Sequence, residues 1–167
     1  LDSKQATRLI TNLKKLKKIN PNFKNIICPQ FMLIPLVSRL INQNQIILGS
    51  QDCHYINEGA YTGDTSIKLL KENNCKYVII GHSERRHNHK ETDSIVRKKV
   101  EHVLLNKLKP IVCVGESLKQ RKSNKYKYIL KKQLNNCIPT NQNHIVIAYE
   151  PIWSIGSGLV PTLNEIN

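Results

Sequence analysis

The sequence predicts an α/β fold with parallel strands, of the kind that closes into a barrel with chemistry at its mouth, and three segments carry that prediction. In YVIIGHSERR, residues 77–86, four apolar residues run directly into Gly81, His82 and a charged turn. In HIVIAYEPIWSIGSG, residues 144–158, an apolar run delivers Glu150 and is stopped by Pro151. In IVCVGES, residues 111–117, a third run ends in Gly115 and Glu116. Consecutive β-branched and aromatic residues fit strands covered on both faces, as in a parallel sheet. Functional groups at the carboxyl ends of such strands mark the active-site end of α/β enzymes.

Taken in order, the first element is a helix from about Ser3, a plausible N-cap, to Ile19. Its stripe Ala6, Leu9, Ile10, Leu13 and Leu16 lies opposite Lys14, Lys15, Lys17 and Lys18, a solvated face. A strand at Ile26 to Cys28 follows, then a helix from about Phe31 to Ile41 whose start Pro35 leaves open. Ile46 to Gly49 reads as the next strand, leading to the long segment from Gln51 to Asp64 and a helix from Ser66 to Asn73. After the strand at Tyr77, the helix from Thr92 to Leu108 has the clearest stripe: Ile95, Val96, Val100, Val103, Leu104 and Leu108. The basic run from Lys119 to Lys132 also contains Ile129, Leu130 and Leu134, which make it another helix packed on the sheet. Strand starts near Ile26, Ile46, Tyr77, Ile111 and Ile145 are roughly 20 to 35 residues apart, as strand-helix units require. With no linker or low-complexity segment, residues 1–167 read as a single domain.

Composition narrows the function classes. At 40% hydrophobic residues the chain can bury a core. No apolar run approaches about 20 residues, and LDSKQATRLI lacks the plan of a leader peptide, so a soluble cytoplasmic protein is expected. Cys28, Cys53, Cys75, Cys113 and Cys137 lack paired metal or redox spacing and read as reduced, mostly buried thiols, Cys28 and Cys113 within strands. His82, His87 and His89 have no companion cluster of ligands, so no metal is expected. The net charge of +14 ordinarily points to nucleic acid. Here the lysines are spread over solvated helix faces, so nucleic acid is not the expected partner, although the field would attract an anionic substrate. The run from Lys119 to Lys132, with Tyr126 and Tyr128 interleaved, is the one candidate for polyanion binding.

Four motifs, GAYTGDTS at 59–66, YVIIGHSERR at 77–86, CVGES at 113–117 and AYEPIWSIGSG at 148–158, resemble the triosephosphate isomerase family in order and spacing. A complete (β/α)8 barrel takes about 250 residues and this chain has 167. Aligned by its motifs, it runs from the first helix into the sixth. The resemblance therefore implies a partial TIM barrel lacking strands 1, 7 and 8, together with the lysine, asparagine and phosphate loops they carry.

The implied reaction interconverts dihydroxyacetone phosphate and D-glyceraldehyde 3-phosphate by proton transfer through an enediolate, without a cofactor. Glu150 matches the family's base and His82 the imidazole that polarises the carbonyl. The family is itself the type example of such a pair, with a neutral imidazole beside a helix N-terminus. Glu84 and Glu116 match supporting carboxylates, Glu84 being the partner of the missing lysine. Pro151 to Gly158 resembles the lid over the substrate phosphate: Trp153 is its anchor, Gly156 offers a backbone N–H, and Ser157 and Gly158 complete it. Leu159, Val160 and Pro161 alter its second hinge. Gln51 and Thr62 resemble the protruding loop through which the family forms homodimers. Three readings compete: an isomerase completed by further segments, an inactive truncated remnant, and a basic polyanion-binding fragment.

Overall fold

The computed structural model describes residues 1–15, 23–41 and 46–166. Five strands, β1 (Asn25–Ile27), β2 (Ile46–Ser50), β3 (Tyr77–Ile80), β4 (Lys109–Val114) and β5 (Val146–Tyr149), form one parallel sheet in sequence order. Helices α1 (Ser3–Lys15), α2 (Ile34–Leu40) and α3 (Ile67–Glu72) come before β3. Then follow α4 (Ser83–Asn88), α5 (Asp93–Leu105), α6 (Leu118–Lys122), α7 (Tyr126–Cys137) and α8 (Leu163–Ile166). Parallel neighbours joined in chain order through helices are consecutive units of a (β/α)8 barrel, so the expected fold class, a partial TIM barrel, holds.

Register divides the strands into two faces. Tyr77 pairs with Lys109, Ile79 with Ile111, and Ile111 with Val146, so these side chains share one face. Leu48, Val78, Ile80 and Val112 lie on the other, against the helices, and none is more than 1% exposed. The first face is covered far less: Ile47, Ile79 and Ile111 are half-buried and Val146 is 42% exposed. Apolar runs read as strands covered on both faces are thus sealed mainly on one through β2 to β4, and in β5 Ile147 on the helix face is also 44% exposed.

Local chemistry corrects several boundaries. Asp2, not Ser3, caps α1: its carboxylate accepts the Gln5 N–H at 2.7 Å while Gln5 Oε1 accepts the Asp2 N–H at 3.0 Å. Within α1, Ala6 and Ile10 are buried, but Leu9, at the border of the stripe, is 41% exposed. Leu16, Lys17, Lys18 and the expected helix end at Ile19 lie outside the described residues. Cys28 sits one residue past β1, half-buried. A short 3-10 turn, Phe31–Leu33, leads into α2, where Pro35 occupies the first turn and its missing N–H breaks no helical bond. The basic run forms two helices instead of one, because Asn124 adopts a left-handed conformation at φ 56° between α6 and α7.

One buried polar group on α5 was invisible in the apolar stripe. Lys99, 4% exposed, lies beside Val96, Val100 and Val103. Its Nζ is 2.7 and 2.8 Å from the Asp52 oxygens and 2.6 Å from Glu91 Oε1. Arg85 contacts Glu91 at 2.7 Å and Asp52 at 2.9 Å. Burial alone would raise the pKa of Glu91, but Lys99 and Arg85 outweigh it and hold the carboxyl below the usual range. A depressed carboxylate stabilises the fold above its ordinary pKa, and that contribution is lost as pH falls through the folded value. Lys99→Met would leave two buried carboxylates sharing one cation, Arg85, and a urea titration should show a loss of about 3–5 kcal/mol; a loss near zero would mean that the cluster does not hold the fold.

Candidate active site

His82 stands where β3 turns into α4. Gly81 makes the turn at φ 73°, and a Cβ there would lie 3.0 Å from both Val96 methyls. His82 is the N-cap of α4, its Nδ1 accepting the Glu84 N–H at 3.3 Å. An accepting Nδ1 leaves the proton of the neutral ring on Nε2. That atom lies 3.0 Å from Glu150 Oε2, the pair expected from sequence to share the chemistry. Glu150 Oε1 also accepts the Ser83 N–H at 2.6 Å, and the Ser83 hydroxyl lies 3.4 Å from Oε2. Burial pushes the Glu150 carboxyl above the ordinary range, opposed by His82 and by the Ser83 hydrogen bonds. The Glu150 side chain is 13% exposed and His82 32%, a half-closed cleft.

Backbone geometry delivers Glu150 there. Its N–H donates to the Val114 carbonyl at 2.9 Å, extending the β4-β5 ladder by one residue. Beside it, a Cβ on Gly115 would collide with the Glu150 carbonyl oxygen, so only glycine fits. The Gln133 amide on α7 clamps Gly115 from the other side, accepting its N–H at 2.9 Å and donating to its carbonyl at 3.0 Å. Sequence reasoning missed Gln133, a lone amide in a basic helix, as well as Ser83 and Lys99.

Glu116 anchors the start of the loop after β5. Fully buried, it accepts the Tyr149 hydroxyl at 3.1 and 3.2 Å and Trp153 Nε1 at 2.9 Å, with Arg121 3.7 Å away. Its carbonyl accepts the Ile152 N–H at 3.1 Å. Burial, then Glu116, push the Tyr149 phenol up to about 12. Trp153 falls in a 3-10 turn, Ile152–Ser154, and its carbonyl accepts the Ser157 hydroxyl at 2.8 Å. Gly156 and Gly158, at φ 68° and 77°, have no atom within 4 Å of where a Cβ would be. The loop is tied down at Trp153 and open at its glycines.

Other expected residues sit less centrally. The Glu84 side chain is 68% exposed, with a carboxylate oxygen 3.7 Å from His82 Nδ1, so no buried charge is left without a partner. Arg86 is engaged elsewhere, donating to the Gly81 carbonyl at 2.8 Å and pairing with Asp93 at 2.6 Å. Gln51 folds back to donate to the Cys28 carbonyl at 3.1 Å, beside a cavity of about 300 Å³ that His82 also lines. Thr62 is exposed in a segment closed where the His54 N–H meets the Thr65 carbonyl at 2.8 Å. His87 and His89 are exposed, and no three His, Cys, Asp or Glu side chains among the described residues are grouped to hold a metal. Cys113 and Cys28 are protonated thiols, raised by burial to about 12 and about 11.

Comparison with known proteins bears on this arrangement. The family profile described as "TIM: Triosephosphate isomerase" matches residues 1–167. The chain belongs to the triosephosphate isomerase family. It is 41% identical over 168 residues to the triosephosphate isomerase of Clostridium botulinum (strain Loch Maree), covering 98% of this chain and 67% of that one. It is 43% identical over 143 residues to the Wolbachia (Brugia malayi) relative, covering 86% and 59%. The crystal structure of triosephosphate isomerase from Bartonella henselae superposes with a TM-score of 0.81 at 39% identity, covering 90% of this chain and 62% of that one. The chain thus spans about three-fifths to two-thirds of the length of these members of the triosephosphate isomerase family. No helix among the described residues is long and apolar enough to cross a membrane.

Trp153 is the only tryptophan, so its fluorescence reports the Glu116 anchor directly. In Glu116→Leu the indole and the Tyr149 phenol lose their acceptor, and the emission maximum should shift to the red as the ring enters water. An unchanged spectrum would show that Glu116 does not hold the loop.

Proposed function

We propose that this chain carries the proton-transfer pair of a triose-phosphate isomerase, interconverting dihydroxyacetone phosphate and D-glyceraldehyde 3-phosphate. The observation that supports this reading best is the 3.0 Å approach of His82 Nε2 to Glu150 Oε2 at the carboxyl ends of β3 and β5. In this reading Glu150 takes a proton from the carbon beside the substrate carbonyl and returns it to the neighbouring carbon. His82 donates its Nε2–H to the carbonyl oxygen and stabilises the enediolate. Both roles require the Glu150–His82 contact to open as substrate enters between them. Glu150 precedes Pro151 and the glycine-bearing loop directly, so closure of that loop over a phosphate moves the base at the same time. Water excluded by the closed loop cannot protonate the enediolate or promote loss of phosphate. Gly156 and Ser157 are the loop groups offered to that phosphate. Gln51 and Thr62 would join two copies into a homodimer, in the cytoplasm.

The raised carboxyl of Glu150 gives the reaction a pH signature. A base must be ionised to act, so kcat/KM should fall with acid through a pKa above the ordinary glutamate value. A profile flat down to the ordinary carboxylate range would remove Glu150 as the base.

A second reading is favoured by the half-exposed Ile79 and Ile111 and the exposed Val146 on the inner face: residues 1–167 alone are a non-catalytic remnant. A coupled isomerase assay on protein from a host deleted for its own isomerase separates the two. Activity that falls by at least about 100-fold in both Glu150→Asp and His82→Gln supports catalysis by this pair. A soluble, folded and inactive chain supports the remnant.

A further inference from the structure

We propose that the end of the sheet opposite the candidate active site holds a second binding site, for a nucleotide carrying two or more phosphates. A cavity of about 330 Å³ opens beneath the first residues of β2, β3 and β4, the size of a small-ligand pocket. Four lysines line it: Lys24 before β1, Lys76 before β3, and Lys107 and Lys109 at the entry to β4. They come from three separate connections, so they are far apart in the chain and are gathered only by the fold.

Among the described residues the lining contains no carboxylate and none of these four lysines forms an ion pair. Their backbones adjoin, the Lys109 N–H donating to the Lys76 carbonyl at 2.9 Å and the Lys76 N–H to the Leu48 carbonyl at 2.8 Å. Like charges held on neighbouring strands repel, and a polyphosphate removes that cost through several charge-assisted hydrogen bonds at once. The interior of the cavity is different in character. Ile41 and Ile47, both half-buried, give it apolar walls, with the buried Tyr77 at its base and Lys109 Nζ 5.9 Å from the centre of that ring. Ser38 and Asn74, 3.4 Å apart at the side, offer hydroxyl and amide groups to the edge of a base. An apolar floor, a polar edge and a cationic rim without acids together match a flat heterocycle bearing phosphates better than an inorganic anion or a neutral solute. The site is independent of the isomerase reading, since it shares no residue with the cleft of His82 and Glu150.

Isothermal titration of the chain with ATP, tripolyphosphate and adenosine tests the assignment, at low and at physiological salt. ATP should bind more tightly than either part alone. The Lys76→Ala/Lys109→Ala double variant should weaken ATP binding about tenfold or more, while retaining the parent circular dichroism spectrum. Lys107→Glu, at an exposed turn, should weaken it as well and does not depend on a strand residue. Lys122→Ala/Lys131→Ala, on the exposed faces of α6 and α7, removes the same charge elsewhere and should leave binding unchanged. Equal losses in both double variants would reduce the effect to general attraction by a basic protein and overturn the site. Tripolyphosphate binding as tightly as ATP would overturn the nucleotide assignment, as would ATP affinity unchanged by Lys107→Glu.

Discussion

Lys99 is 4% exposed, and an ammonium so placed is stable only while carboxylates face it. Asp52 comes from the segment after β2, Glu91 from the turn before α5, and Arg85 from α4. Lys99 and Arg85, bound to the same two carboxylates, therefore tie three connections together at the carboxyl end of the sheet. The helix that begins at His82 is among them, and its orientation decides where the imidazole points. Apolar packing beneath, through Val96, Val100 and Val103, sets the distance of α5 from the sheet; the charges above it set the register.

The carboxylate of Glu150 is held by a different kind of constraint, the removal of bulk. Gly115 has no side chain where the Glu150 carbonyl passes, and Gln133 holds Gly115 by both of its backbone polar groups. Glu150 is thereby pressed toward His82 and Ser83 in a place too dry to favour its charge. A group that is buried but fully hydrogen-bonded is rigid in one position and responsive to a small change in its surroundings. Glu116 then joins this region to the loop, taking hydrogen bonds from Tyr149 before the Glu150–Pro151 step and from Trp153 after it.

Much of this was legible in the sequence, for a physical reason. Strand interiors buried against helices must be apolar, and chemistry at a strand's end must follow directly, so YVIIGH and IAYE show both at once. Spacing then gave the order of units, and His82, Glu150 and Glu116 were found at the strand ends that their positions implied. What escaped was whatever depends on contacts between distant residues. Lys99 sits at a core position of its helix and only the folded chain shows Asp52 and Glu91 waiting for it. Gln133 lies among lysines, with nothing nearby to mark it as a clamp. The break between α6 and α7 turned on Asn124 accepting a left-handed backbone, a choice that Ser123 and Asn124 permit without requiring it. Coverage of the sheet was also misjudged, since an apolar run is the same whether one face is sealed or two.

Sequential pairing of β1 to β5 has a consequence for how the chain assembles. Each strand after β1 pairs with the strand just before it, so every closure spans a single strand-helix unit and none spans the whole chain. During synthesis the sheet can lengthen one unit at a time, each strand adding to a template already in place. Among the described residues β5 pairs only with β4, and Val146 and Ile147, on its opposite faces, are 42% and 44% exposed. An edge so exposed is where a further strand of the fold adds and where an unrelated extended segment would add by the same hydrogen bonds, so growth and aggregation draw on one surface.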